Sequence, residues 1–273
     1  MTRAAYHERV ATWRRLAGMA LAPLVLAGCT SAWQGESRAE RTLDRILPAS
    51  VQVILEQQEG RRFRSASGVM IGARPGPAGV ECLILTSGHT LAGSGRGKNV
   101  FVLSQRHEGP GVRTPASVLA VGEADGIDLA LLSTKNTDCA AATIGKPARL
   151  GESVWVVSFP WGRELTVSRG VISQVRRGGP GHAAGAGRLM VDAPVSYGAS
   201  GGGVFRADSG ELVGVVEGYS TARVAFEGPS APAHIDVPVP GQTFVTPIGD
   251  VIEFLRGQGH APRVADAAPH PQP

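Results

Sequence analysis

From Val51 to Val216 the chain repeats one texture, in which short apolar or alternating apolar and polar runs are closed off by Gly, Pro or charged residues. Such runs, rich in β-branched side chains, predict strands. They fall at Val51–Leu55, Phe63–Ile71, Cys82–Leu85, Asn99–Leu103, Ala116–Val121, Leu129–Leu132, Val154–Ser158, Leu165–Ser168, Val171–Val175, Leu189–Val191, Val204–Arg206 and Leu212–Val216. Gly72–Gly79, which contains Pro75 and Pro77, separates two of them as a hairpin connection would. Helical spacing belongs to the two ends. Leu43, Ile46 and Leu47 recur in that period and stop at Pro48, and Ile248, Val251, Ile252 and Leu255 fall on one face, with Thr246 as cap and Pro247 at the first helical position. The pattern predicts an all-β barrel or sandwich with short N-terminal and C-terminal helices.

Composition fits many short strands and turns: among 273 residues there are 37 Gly and 19 Pro, and aromatics are only 5%. The amino terminus reads differently. A basic stretch with Arg3, Arg9, Arg14 and Arg15 precedes the apolar run Leu16–Gly28, which is too short to span a bilayer. The run closes on Leu26-Ala27-Gly28-Cys29, which resembles the lipobox of bacterial lipoproteins. That resemblance implies a signal peptide over 1–28 and acylation of Cys29, with the membrane as a partner through its lipid. Thr30 follows rather than Asp, so by the same family's sorting rule the expected location is the periplasmic face of the outer membrane. The expected organisation continues with a polar tether over 29–41, one folded domain over 42–258, and an Ala/Pro-rich disordered tail over 259–273.

Removing 1–28 leaves 23 basic against 22 acidic residues, a net charge of about +1, so the charge balance makes no case for nucleic acid. Arg61, Arg62 and Arg64 form a tight basic cluster that reads as a solvated strand face. Cys82 and Cys139 are an even pair outside the cytoplasm, open to a disulfide or to two buried thiols. The remaining histidines are scattered without metal-ligand spacing, so neither metal nor cofactor is expected. Gly178–Gly187 reads as a flexible loop, and no helix pattern follows it to build a phosphate cradle.

Three local patterns carry chemistry, in the order His, Asp, Ser: Leu83-Ile-Leu-Thr-Ser-Gly-His89, Asp128-Leu-Ala-Leu-Leu132 and Gly198-Ala-Ser-Gly-Gly202. A serine hydroxyl is a weak nucleophile near neutral pH and needs a base within hydrogen-bond reach. His supplies one, and a carboxylate fixes the tautomer and steadies the cation. Asp125 is the nearby rival to Asp128, which is preferred because it abuts the strand. The chain order excludes the Ser, Asp, His sequence of α/β-hydrolase esterases.

Together the motifs resemble trypsin-like serine proteases, especially the bacterial HtrA (Deg) branch, from about Leu43 to Leu255. Pro160-Trp-Gly-Arg-Glu-Leu-Thr-Val-Ser-Arg-Gly170, Leu212–Val216 and Phe244-Val-Thr-Pro247 extend the match. The resemblance implies two packed six-stranded antiparallel β-barrels, a triad of His89, Asp128 and Ser200, and an oxyanion hole from the backbone N–H groups of Gly198 and Ser200. Protein or peptide substrates are the implied partners. It implies specificity-pocket walls at Pro194, Val195, Glu217 and Gly218, with Glu217 turned outward. No carboxylate then stands at the pocket base, so cleavage after small or medium aliphatic residues is expected. No peptide-sensing PDZ module is read after the body. The sequence departs from the family pattern at Gly88, Ala199 and Gly203, and three glycines after Ser200 are expected to loosen the turn. The competing reading is a catalytically silent lipoprotein that uses the double barrel as a binding platform.

Overall fold

The computed structural model describes residues 38–57, 60–77, 79–92, 98–104, 111–122, 126–135, 139–176, 187–227, 232–262 and 264–265. Cys29, Asp125 and most of the Gly178–Gly187 loop lie outside these residues. The chain divides into two units, Met1–Leu43 and Asp44–Pro273. Helix α1 runs over 38–46, so regular structure begins inside the segment expected as tether. A 3₁₀ turn at Leu47–Ala49 follows, where Pro48 stops the helix.

Twelve strands build two closed antiparallel barrels within the second unit. The first contains β1 (Ser50–Gln57), β2 (Arg62–Gly76), β3 (Gly79–Thr86), β4 (Lys98–Ser104), β5 (Val112–Val121) and β6 (Ala130–Lys135), in the order β1-β2-β3-β6-β5-β4. The second contains β7 (Ser153–Ser158), β8 (Thr166–Arg176), β9 (Arg188–Val191), β10 (Gly203–Arg206), β11 (Leu212–Glu227) and β12 (Pro232–Pro247), in the order β10-β11-β12-β9-β8-β7. Closure removes the exposed edges that an open sheet would carry.

Period-two patterning puts alternate side chains inside each barrel. Val51, Val53 and Leu55 meet Ile84, Val102 and Leu132 in the first, and Val154, Val156, Ile172, Val191, Val204 and Val245 fill the second. A second set faces the other way. Val69, Leu85 and Leu131 are register neighbours across β2, β3 and β6 and are fully buried, although none belongs to the first barrel's interior. Val69 reaches to Gly203 of the second barrel: a Cβ built on that glycine would lie 2.9 Å from Val69 Cγ2. The strands that join the barrels are therefore apolar on both faces, which explains their nearly continuous hydrophobic runs.

The structure revises several expectations. Leu165–Ser168 and Val171–Val175 are one strand, β8, which passes through Gly170. There the neighbouring Asp192 and Ala193 come so close that a Cβ would meet Asp192 Oδ1 at 2.5 Å. β12 has no counterpart in the hydrophobic pattern, because Pro232, Pro238, Pro240 and Gly241 read as loop. It is nevertheless paired with β11 from Gly214↔Pro247 to Glu227↔Pro232, with register shifts between Val216 and Gly218 and between Tyr219 and Thr221. The Gly72–Gly79 connection is a hairpin whose strands run almost to its tip, with Gly76 opposite Gly79. Helix α2 (Gly88–Leu91) is a single turn after β3, and α3 (Ile248–Gly257) closes the fold. Thr246 does not cap α3. It is held in the β11–β12 ladder opposite Val215, and Pro247 occupies the N-cap without a side-chain bond. The buried face of α3 carries Ile248, Val251, Phe254 and Leu255, while Ile252 is half-buried. Part of the expected tail is ordered, since Ala265 N–H donates to Ile144 O at 2.9 Å. Cys82 and Cys139 are joined as a disulfide with Cα atoms 5.4 Å apart.

Candidate active site

His89 stands in α2, directly after the apolar β3 that anchors it, and Asp128 stands just ahead of β6, the neighbour of β3. The Asp128 carboxylate grips His89 at two points: Oδ1 accepts the backbone N–H at 2.7 Å, and Oδ2 lies 2.6 Å from Nδ1. Two-point contact fixes both the turn and the ring. The opposite ring nitrogen, Nε2, is 3.2 Å from Ser200 Oγ, so one chain of contacts runs from carboxylate to hydroxyl across the junction of the barrels. The Asp128 side chain is only 12% exposed while that of His89 is 44% exposed, which shields the carboxylate and leaves the imidazole open to an incoming molecule.

Ser200 sits in a turn tied down at nearly every peptide. Gly202 N–H donates to Ala199 O, Gly201 N–H to Val216 O and Ser67 N–H to Ser200 O, at 2.7 to 2.9 Å. The glycines fit this constraint instead of loosening it. Gly201 has φ +86°, and a Cβ there would lie 2.1 Å from Ser67 O. Gly198 has φ +91°. Tyr197 O accepts from Trp161 N–H at 2.7 Å, and in a trans peptide this turns the Gly198 N–H the opposite way. Among the described residues, neither Gly198 N–H nor Ser200 N–H has a backbone acceptor. Two unengaged donors flank the hydroxyl, as a site for a negatively charged oxygen requires.

Ser67 of β2 is the residue sequence reasoning missed. Its hydroxyl donates to Gly198 O and accepts from Phe159 N–H, both at 2.8 Å, and its carbonyl accepts from Thr86 Oγ1 at 2.8 Å. It is 1% exposed. A polar residue inside a buried run was the available signal, but its partners are remote in sequence.

A cavity of about 390 Å³ opens beside Ser200, lined by Arg64, Ser65, His89, Thr90, Tyr197 and Tyr219 among others. Pro194, Val195, Glu217 and Gly218 do not line it. Val195 packs on the second barrel's core, and Pro194 O accepts from Ser168 Oγ at 3.1 Å. Gly218 lies opposite Phe244, with no atom near where its Cβ would sit. The Glu217 side chain is 24% exposed. Its carboxylate pairs with Arg188, whose guanidinium lies over the Phe244 ring at 4.8 Å, so the aromatic shelf holds the cation that draws Glu217 in. Burial raises the Glu217 pKa, Arg188 opposes that, and the Asp128 charge adds to it.

The trypsin-like peptidase domain model matches residues 66–215, more than half of the chain. The chain belongs to that family. Among curated proteins, a probable periplasmic DegP-like serine endoprotease of Hahella chejuensis is 31% identical over 157 residues, covering 56% of this chain and 31% of that one. The magnetosome formation protease MamE of Paramagnetospirillum magneticum is 32% identical over 152 residues, covering 53% and 20%. The chain thus spans less than a third of these relatives. Among solved structures, a serine endoprotease from Yersinia pestis matches with a TM-score of 0.60 at 22% identity, covering 81% of this chain and 66% of that one. The HtrA-type protease AlgW with a decapeptide matches with a TM-score of 0.59 at 21% identity, covering 81% and 67%. At such identities the likeness speaks for the fold, and within the family it identifies the pair of six-stranded barrels as the trypsin-like double barrel.

Proposed function

We propose that this chain is a serine endopeptidase in which Ser200 is the nucleophile, His89 the general base and then acid, and Asp128 the group that orients His89. The observation that carries this reading is the unbroken contact chain Asp128–His89–Ser200 beside two unengaged backbone donors. Ser200 Oγ attacks the peptide carbonyl carbon as its proton passes to His89 Nε2, and the carbonyl oxygen takes up charge facing the N–H groups of Gly198 and Ser200. The C–N bond then breaks, the same proton goes to the leaving amine, and water repeats the sequence on the acyl-enzyme. No group beyond these side chains and water is needed for the balance.

Cleavage after small or medium aliphatic residues is part of the proposal. Its support is that Glu217, the carboxylate among the pocket walls that the resemblance implies, is already paired with Arg188 and is not offered to a substrate cation. The lipid anchor at Cys29 and the periplasmic face of the outer membrane complete the reading. The lipobox-like sequence supports the first, and the word periplasmic in the name of the Hahella chejuensis relative is consistent with the second.

A fluorophosphonate probe tests the chemistry. Folded protein is expected to be labelled, and Ser200→Ala to lose both labelling and peptide hydrolysis. Folded wild-type protein that resists the probe would favour the silent binding platform.

A further inference from the structure

Arg62 and Arg64 bracket a bulge in β2, where Leu55 pairs with Arg64 and Glu56 with Arg62. Arg64 lines the active-site cavity, and Arg62 is tied beside it to Gly162, whose neighbour Trp161 packs on the cavity-lining Tyr197. Arg64 Nη1 donates to His89 O at 2.7 Å and to Thr90 O at 3.1 Å, and Arg62 Nη1 donates to Gly162 O at 3.1 Å, one residue beyond Trp161. A guanidinium carries five donors, and among the described residues the other donors of Arg62 and Arg64 have no hydrogen-bond partner. No carboxylate pairs with either guanidinium among the described residues, whereas Arg74, Arg113, Arg188 and Arg206 each have an acidic partner. Two cations held by backbone carbonyls, Arg64 in the cavity wall and Arg62 next to it along the strand, are pre-positioned for an anion.

The chemistry says which part of a substrate they meet. His89 Nε2 delivers its proton to the leaving amine, so the fragment after the scissile bond departs past His89. Asp128 occupies the Nδ1 side of the ring. The cavity beside His89 is lined by Arg64, Ser65, Thr90 and Ala92 from the first barrel and by Tyr197 and Tyr219 from the second. Resting on the proteolytic reading, we propose that Arg62 and Arg64 recognise an acidic side chain within the first three residues after the scissile bond, making the enzyme selective for substrates with Glu or Asp on the leaving-group side. The basic cluster at the start of β2 is then a substrate-reading element and not merely a solvated strand face.

The test uses quenched fluorescent peptides that share one acyl-side sequence and carry Glu, Gln or Lys in turn at each of the three positions after the cleaved bond. Wild-type protein is expected to show kcat/KM at least about tenfold higher for Glu than for Lys at one of these positions. The ratio should shrink in high salt, because the contact is partly exposed. Arg62→Glu, which among the described residues gives up a single hydrogen bond to the Gly162 carbonyl, is expected to cut the preference, and the Arg62→Glu, Arg64→Glu double variant to reverse it. Arg64 also steadies the turn that bears His89, so each variant's fluorophosphonate labelling rate is measured alongside to separate a damaged triad from a changed preference. Equal kcat/KM for Glu and Lys peptides at all three positions would overturn the proposal, as would a preference that survives in both variants. Binding of the same peptides to Ser200→Ala separates this idea from the proteolytic one. If wild type cleaves nothing yet Ser200→Ala holds the Glu peptide at least tenfold tighter than the Lys peptide, proteolysis falls and acidic recognition stands; equal binding sinks recognition itself.

Discussion

Ser67→Ala isolates the contact that joins the first barrel to the turn that carries Ser200. The substitution deletes one oxygen from a residue that is 1% exposed and leaves two backbone groups without their partner, Gly198 C=O and Phe159 N–H. Each buried unsatisfied group costs about 1–3 kcal/mol, so the loss of stability is expected at roughly 2–5 kcal/mol. For a folded body of this size, 1 kcal/mol moves Tm by about 2–4 °C, which places the variant roughly 4–20 °C below wild type. The backbone bonds of Ser67 to Ser200 and Thr86 remain, so the fold should persist. The turn will nonetheless hold Gly198 less firmly, and kcat is expected to fall roughly ten- to a hundredfold, less than the loss of an entire oxyanion donor. Thermal unfolding followed by circular dichroism gives the first quantity. Peptide hydrolysis and probe labelling, both measured well below the variant's Tm, give the second. A Ser67→Ala protein with wild-type Tm and wild-type kcat would show that the hydroxyl bridge does not organise the turn.

Asp250, in the first turn of α3, has its pKa raised to about 6 by burial and by the neighbouring Glu253 charge, and its Oδ2 has no hydrogen-bond partner among the described residues. Between its ordinary value near 4 and that raised value the folded state binds the extra proton, so this residue's contribution makes stability fall as pH rises through the window. Asp250→Asn should be more stable than wild type at pH 7 and lose that advantage below about pH 4; urea melts across the range decide it. The bridge between Cys82 and Cys139 spans 57 residues, and the chain-entropy account assigns such a loop about 4 kcal/mol. Replacing both cysteines by Ser should lower Tm in oxidising buffer to that of the reduced protein, and an unchanged Tm would count against the account. Cys29→Ala should move the protein from the membrane to the soluble fraction while leaving peptide turnover intact, and a variant that still pellets without detergent would contradict the anchor.

Much of the molecule was legible in the amino-acid order because its determinants are local. Alternation at Val51, Val53 and Leu55 or at Val154 and Val156 reports which faces are buried, since side chains on a strand point to opposite sides in turn. The motifs around His89, Asp128 and Ser200 were equally readable, because each is a short run whose residue types answer a chemical need. What the order of residues hid is non-local. β12 is a strand because β11 offers it a ladder, despite the prolines that mark it as loop, and the expected break at Gly170 vanished for the same reason. Arg64 and Glu217 carried no local sign of their roles, and Ser67 showed only as a polar residue inside a buried run. Their partners lie up to 131 residues away, and Glu217 is paired with an Arg188 that packs over Phe244. Local patterning therefore determined most of the strands and the three motifs that bear His89, Asp128 and Ser200. Only the closing of two barrels against each other decided which distant donors, acceptors and cations surround them, because burial and hydrogen-bond partnership depend on the whole chain's packing.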